Sequence, residues 1–216
     1  MIVPGLLIIV SGPSGTGKGT ICKSLLGRRP DMFFSVSATT RPPRDGEIEG
    51  IHYFFTDKAK FESMRDQDEF LEWAEVYDHY YGTPKQPVME ALAAGQDVVL
   101  EIDVQGALAV KEKAPQAVYL FIVPPSMEVL RARITSRATD STEIINKRIG
   151  KALGELAQLR EYNYVIVNDV LEEAVNKVQC IITAEKCRTS RYSVVGDGAP
   201  DQPLVGISGQ IQYIRK

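Results

Sequence analysis

The sequence predicts an α/β fold: a parallel sheet flanked by helices, carrying a small inserted subdomain. Three observations predict it. Short apolar, β-branched runs alternate with helical segments along most of the chain. A glycine-rich turn joins the first run to the first helix. One stretch, residues 34–87, breaks the alternation with aromatics and turn formers.

The elements follow in order. Residues 6–10 (Leu-Leu-Ile-Ile-Val) read as a central strand buried on both faces, and residues 17–26 as the first helix. Further strands are expected at 97–103, 117–123 and 164–167. Helices are expected at 87–94, 105–113, 127–136, 142–160 and 171–186, with Asp140 and Glu143 forming a capping box for the fourth of these. The inserted stretch reads as short strands plus one helix over 57–65. The segment after Arg191 has glycines and prolines without a period and reads as an extension, flexible or docked.

Composition narrows the function classes. A chain of 216 residues, 44% hydrophobic and 25% charged, suits one α/β domain with a sizeable core. A net charge of −3 argues against a nucleic-acid partner, so any anionic ligand needs locally placed Arg and Lys. Cys22, Cys180 and Cys187 fit no metal template and read as reduced, buried or half-buried thiols; His52 and His79 are too far apart for a histidine metal site. The first apolar run is too short to cross a bilayer and has no basic segment before it, so the expectation is a cytoplasmic protein with no membrane partner.

Gly12-Pro13-Ser14-Gly15-Thr16-Gly17-Lys18 matches the phosphate-loop pattern GxxxxGK, after a strand and opening a helix. Backbone N–H groups turn inward around phosphates, the helix N-terminus adds partial positive charge, and Lys18 reaches the outer phosphates. The pattern usually continues with Ser or Thr, whose hydroxyl meets Mg²⁺. Here Gly19 stands in that place and Thr20 follows. The metal is therefore expected to rest on phosphates, water and an acidic residue elsewhere. No direct protein ligand is assigned to it; Thr20 and Asp103 are candidates through water.

Glu101 and Asp103 close the second strand and are expected on the same side, beyond the carboxyl edge of the sheet where ligands sit. Such an acid holds the water shell of Mg²⁺ or accepts from a base. Asp103 also reads as an N-cap for the next helix. Arg133 and Arg137 lie four apart on one helix face, a repulsive placement unless an anion lies between them. Arg41 and Arg44 flank Pro42-Pro43, which stiffens their presentation for bidentate phosphate binding.

These residues resemble the guanylate kinases over about residues 5–191. The motifs that carry the resemblance include the loop, Thr39-Thr40-Arg41 with Pro43-Arg44, His52-Tyr53-Phe54-Phe55, Phe70-Leu71-Glu72, Tyr80-Tyr81-Gly82-Thr83, Ile102-Asp103, Asn146-Lys147-Arg148 and Val167-Asn168-Asp169. The resemblance implies Mg²⁺-dependent transfer of the ATP γ-phosphoryl group to GMP, with dGMP as a second acceptor. It implies a core of residues 1–34, 88–125 and 155–191, a GMP-binding subdomain at 35–87, a helical lid at 126–154 and a tail of unassigned role at 192–216. It implies an ATP site of Gly12 to Thr20 plus Asn168 beside adenine. It implies that Arg41, Arg44, Tyr53 and Tyr81 hold the GMP phosphate, and that Glu72 reads guanine with Ser37, Thr83, Glu101 and Asp103 nearby. Lys18, Arg41 and the lid arginines Arg133, Arg137 and Arg148 would serve catalysis. A homodimer is left open. Two positions depart from the family pattern: Gly19, where Ser is common, and Glu101, where Asp is expected.

Two rivals bear weighing. Another nucleoside monophosphate kinase would share the Gly-Lys-Gly-Thr loop but has no need of Glu72 and the tyrosine pair. A non-catalytic scaffold of the same shape would be expected to lose the loop, whereas Gly17 and Lys18 are present.

Overall fold

Alternation along the first strand builds both sides of the core. The structure, a computed structural model, describes residues 4–76, 78–135, 142–194 and 209–211. Strand β1 (Leu7–Ser11) sits in the middle of a five-stranded parallel sheet. Ile8 and Val10 point to one face, where helices α1 (Lys18–Arg28) and α7 (Leu171–Lys186) cover them. Ile9 points to the other, against α3 (Lys85–Ala93) and α4 (Val104–Lys113). With no solvent-facing side, the strand takes an unbroken apolar run, as parallel sheets require.

The remaining members of that sheet are β2 (Phe33–Phe34), β7 (Val98–Glu101), β8 (Val118–Val123) and β9 (Tyr164–Val167), in the order β2-β7-β1-β8-β9. The strand expected over 97–103 is shorter at both ends, because the aspartate at each end bonds outside the ladder. Asp97 turns its carboxylate inward and accepts from Leu6 N–H at 3.0 Å. Asp103 leaves the ladder to become the N-cap of α4, accepting from Gly106 N–H at 2.8 Å.

The inserted stretch forms a separate four-stranded sheet, β4-β3-β6-β5, from β3 (Ala38–Thr39), β4 (Phe54–Phe55), β5 (Phe70–Val76) and β6 (His79–Pro84). Its own small core is Ala38, Phe61 and Phe70, with the Phe61 and Phe70 rings stacked at 4.4 Å. Phe61 comes from α2 (Lys58–Asp66), capped by Asp57 accepting from Lys60 N–H at 2.8 Å. The helix arises one residue later than expected because the cap itself is non-helical.

Helices α5 (Met127–Thr135) and α6 (Thr142–Leu156) pack through Leu130, Ile134 and Ala152. The long helix expected over 142–160 ends in a 3₁₀ turn, Ala157–Glu161. Arg137 and Asp140 lie outside the described residues, as does the side chain of Glu143. In the tail, β10 (Tyr192–Val194) pairs in parallel with β11 (Gly209–Ile211). Cys22 is buried as expected, but Cys180 and Cys187 are exposed: the apolar stripe of α7 runs through Val175, Val178 and Ile182 instead. No helix among the described residues is long and apolar enough to cross a membrane.

Asp97 is the point where this fold depends on one charge. Its side chain is 2% exposed and lies 2.6 Å from Lys186 and 3.4 Å from Arg29. It ties α1 and α7 to the edge of β7. Replacing it with Ala leaves the Leu6 N–H unsatisfied and removes the carboxylate that Lys186 and Arg29 share, although Arg29 keeps its pairing with Asp31. The expected cost is about 3 kcal/mol, read as a lower midpoint in urea unfolding, with catalysis of the folded fraction unchanged.

Candidate active site

The chain turns sharply between β1 and α1, and the turn is made by glycine. Gly17 has φ +88°, a backbone region that side-chained residues rarely adopt. A Cβ there would also lie 2.4 Å from Asn168 Nδ2. Asn168 is buried and donates to Thr16 O at 2.7 Å, while Thr16 Oγ1 donates to Pro13 O at 2.9 Å. The loop is thus braced from behind. Its open side faces a cavity of about 430 Å³.

Lys18 begins α1 and folds back over the loop, donating to Gly12 O at 2.7 Å and Pro13 O at 3.1 Å. Desolvation pushes its pKa down, while the carboxylates of Glu101, Glu155 and Asp103 act the other way. Glu101 ends β7 beside Val10 of β1, which sets it under the loop. Burial pushes its carboxyl pKa up, and Lys18 partly offsets this.

The inserted sheet supplies the opposite wall. Glu72 on β5 is 6% exposed and accepts from Thr83 Oγ1 at 2.6 Å. Burial raises its pKa to about 7, the Thr83 hydrogen bond opposes that rise, and the neighbouring Asp103 adds to it. Asp103 spends Oδ1 on its cap; Oδ2 is buried without a hydrogen-bond partner and lies 4.0 Å from Lys151 Nζ. Ser37, Tyr53 and Tyr81 line the same cavity.

Gly106 shapes this wall by what it lacks. A Cβ at that position would lie 2.7 Å from Glu72 Oε2. Gly106→Ala is therefore expected to push the carboxylate aside while leaving the phosphate loop untouched. Steady-state kinetics should show KM for the acceptor raised about tenfold or more with KM for the donor unchanged. Equal effects on both would point to general misfolding.

The structure brings most of the expected site residues together. Gly12, Ser14, Gly15, Gly17, Lys18, Gly19 and Thr20 line the cavity from the loop side, and Glu101, Asp103 and Arg148 join them. Pro13 and Thr16 serve the loop's shape instead. Asn168 binds the loop backbone rather than lining the cavity, and Arg133 reinforces it by donating to Asn168 O at 3.0 Å. Thr83 reaches the site through Glu72.

The Arg41-Arg44 pair differs more from expectation. Arg41 is buried, donates to Glu47 Oε1 at 2.9 Å and Pro42 O at 2.7 Å, and lies over the Tyr53 ring at 5.3 Å. It borders the cavity through Tyr53 and Tyr81 rather than lining it. Arg44 is exposed; its backbone N–H donates to Glu47 Oε2 at 2.7 Å and its carbonyl accepts from Glu47 N–H at 3.0 Å. The prolines hold the segment, and Glu47 holds the guanidinium.

Two charged lining residues were missed by sequence reading, besides the apolar Ala74, Val76 and Ile102. Lys151 and Glu155, 3.6 Å apart on α6, enter the cavity beside Arg148. The spacing 148, 151, 155 marks one helix face, which was the available signal.

A phosphate loop at the carboxyl edge of a parallel sheet, facing a carboxylate-bearing insert across one cavity, defines the class of P-loop nucleoside monophosphate kinases. The comparisons narrow the class. A family model described as guanylate kinase matches residues 5–185. A guanylate kinase of Caldanaerobacter subterraneus subsp. tengcongensis is 58% identical over 187 residues, covering 87% of this chain and 91% of the relative. One from Carboxydothermus hydrogenoformans is 54% identical over 196 residues, covering 90% and 96%. The crystal structure of guanylate kinase from Anaplasma phagocytophilum matches with TM-score 0.73 and 34% identity, over 87% of this chain and 89% of that one. The chain belongs to the guanylate kinase family.

Proposed function

We propose that the chain transfers the γ-phosphoryl group of ATP to GMP, giving ADP and GDP, with dGMP as a second acceptor, in the cytoplasm. One observation carries the choice of acceptor: the Glu72 carboxylate, buried and oriented by Thr83, in the same cavity as the phosphate loop. Guanine presents two adjacent donors, N1–H and the 2-amino group, and an ionised carboxylate accepts from both. Adenine offers no such pair.

In this reading residues 35–87 hold GMP, residues 126–154 form the lid, and the remaining core binds ATP. The loop's backbone N–H groups and Lys18 hold the ATP phosphates, for which Lys18 exchanges its carbonyl contacts. Tyr53 and Tyr81, with Arg41 behind them, orient the GMP phosphate. That phosphate is already largely a dianion near neutral pH, so it needs positioning more than deprotonation. One of its oxygens forms the new bond to the γ-phosphorus in line with the breaking bond to the β-phosphate oxygen, and ADP leaves with that electron pair. Arg148 and Lys151, from the lid, add positive charge where charge accumulates.

The donor set suits Mg²⁺ brought in by ATP. No cluster of three acidic, His or Cys groups is found among the described residues, and Mg²⁺ is commonly held by phosphates and waters with only one or two carboxylates. Glu101 and the unsatisfied Asp103 Oδ2 are the carboxylate atoms that fit. When bound, the ion would offset negative charge on the ATP phosphates, with Glu101 and Asp103 as the carboxylates that would hold its water shell.

A panel of GMP, dGMP, AMP, CMP and UMP with ATP tests the acceptor. GMP is expected to exceed AMP and CMP by at least about 10³-fold in kcat/KM, since unpaired buried polar groups reject analogues that strongly. Preference for AMP or CMP would refute the reading.

A further inference from the structure

Gly19 needs no glycine for its backbone: it is the second residue of α1, with ordinary helical geometry. What it provides is space. A Cβ at position 19 would lie 3.3 Å from Glu101 Oε2 and 3.4 Å from Oε1, tighter than side chains normally settle. The carboxylate of Glu101 therefore occupies the volume beside the residue that follows the loop lysine. In phosphate loops that volume belongs to a Ser or Thr hydroxyl facing Mg²⁺.

Glu101 has the bearing for that role. It stands at the end of β7, in register with Val10 at the entry to the loop, and both Glu101 and Gly19 line the cavity. Its carboxylate accepts no hydrogen bond among the described residues, and Lys18 is the charge that acts on it. A side chain one methylene shorter would withdraw the carboxylate by about 1.5 Å and open a gap at Gly19.

We propose that Gly19 and Glu101 act as one size-matched pair, in which the Glu101 carboxylate orients the water shell of the Mg²⁺ that accompanies ATP, in place of a hydroxyl on residue 19. Glu101 is thus a positioning residue for the donor, not a reader of guanine. The inference rests on the proposed ATP-dependent activity.

A mutant cycle tests it: Gly19→Ser, Glu101→Asp, the two combined, and Gly19→Ala combined with Glu101→Asp. Binding of a non-hydrolysable ATP analogue is measured by calorimetry with excess Mg²⁺ and again with EDTA, and GMP binding is measured alongside. Each single variant is expected to lose about tenfold in affinity with Mg²⁺ and less than twofold in EDTA. The Ser/Asp double variant should recover to within about threefold of the parent, because the hydroxyl and the shorter acid share the space. The Ala/Asp double variant refills the gap without a hydroxyl and should stay weak. GMP affinity should hold within twofold throughout.

Additive losses in the Ser/Asp variant would overturn the pairing. Equal recovery by Ala/Asp would reduce it to packing, and equal losses in EDTA would remove the metal from it. If the parent chain itself binds no Mg²⁺–analogue complex, the proposed function fails instead. Thermal melts of all five proteins identify any variant that does not fold, and Gly19→Ala alone then stands in for Gly19→Ser.

Discussion

Lys18→Ala is expected to lower turnover by about 10³-fold or more while the protein remains folded. Two features set the size of the effect. The ammonium is the cation nearest the phosphate-binding backbone, and it is already positioned by Gly12 O and Pro13 O across the loop. Its removal deprives the transferring group of the one cation that the loop itself carries; Arg148 and Lys151 line the cavity from α6. The fold should tolerate the change. The loop is braced by Asn168 on Thr16 O, not by Lys18, and Lys18 carries a desolvation penalty visible in its lowered pKa. ADP release in a coupled assay gives the rate, and thermal melting gives the control. Lys18→Arg should not restore the rate, because a planar fork does not follow the compact path of the lysine stem over the loop. Near-parental turnover in Lys18→Ala would refute the catalytic reading.

Glu72→Gln is expected to separate stability from function. The folded-state pKa of about 7 lies above the ordinary carboxyl value of 4.5, so the fold favours the protonated acid. That contribution is complete below about pH 4.5 and is lost as pH rises towards 7. Above pH 7 the parent chain buries a carboxylate that Gln would not carry. The variant should therefore be more stable than the parent at pH 8, by about 1–3 kcal/mol, and equal to it near pH 4.5. Thr83 Oγ1 keeps an acceptor in the amide oxygen.

Acceptor use should move the other way. The amide offers one acceptor and a donor where guanine needs two acceptors, so kcat/KM for GMP should fall by about 10²–10³-fold with ATP binding unchanged. The same logic gives a pH dependence. Guanine binds the ionised carboxylate, so affinity should decline as pH falls below 7, with a proton released on binding. Guanosine is the probe that isolates this, because the phosphate of GMP titrates near pH 6. A pH-independent guanosine affinity between pH 6 and 8 would exclude Glu72 as the base-reading acid.

Much of the fold was legible because its signals are local. An apolar run with β-branched residues bounded by glycine marks a buried strand wherever it occurs, and β1, β8 and β9 lie where those runs lie. Helix α7 spans the expected residues 171–186. The boundary at Asp97 moved because its carboxylate reaches across the chain to Leu6, 91 residues away. The boundary at Asp103 moved for a local reason that the sequence also offered: its side chain caps α4 three residues on.

The site divides along the same line. The phosphate loop is a local device: glycines, a lysine and a helix start suffice to describe it, and the sequence by itself determined it. The opposite wall of the cavity is not local. Arg41 carried a phosphate-binding signal, and only the folded chain shows it held by Glu47 and set over the Tyr53 ring. Asn168 matched an ATP-site motif, yet its amide braces the loop 152 residues earlier in the chain. Gly19 and Glu101 registered as two separate departures from a pattern, 82 positions apart in number. Tertiary structure alone set the carboxylate into the space the glycine leaves, because steric complementarity exists between surfaces, and a sequence lists only their pieces.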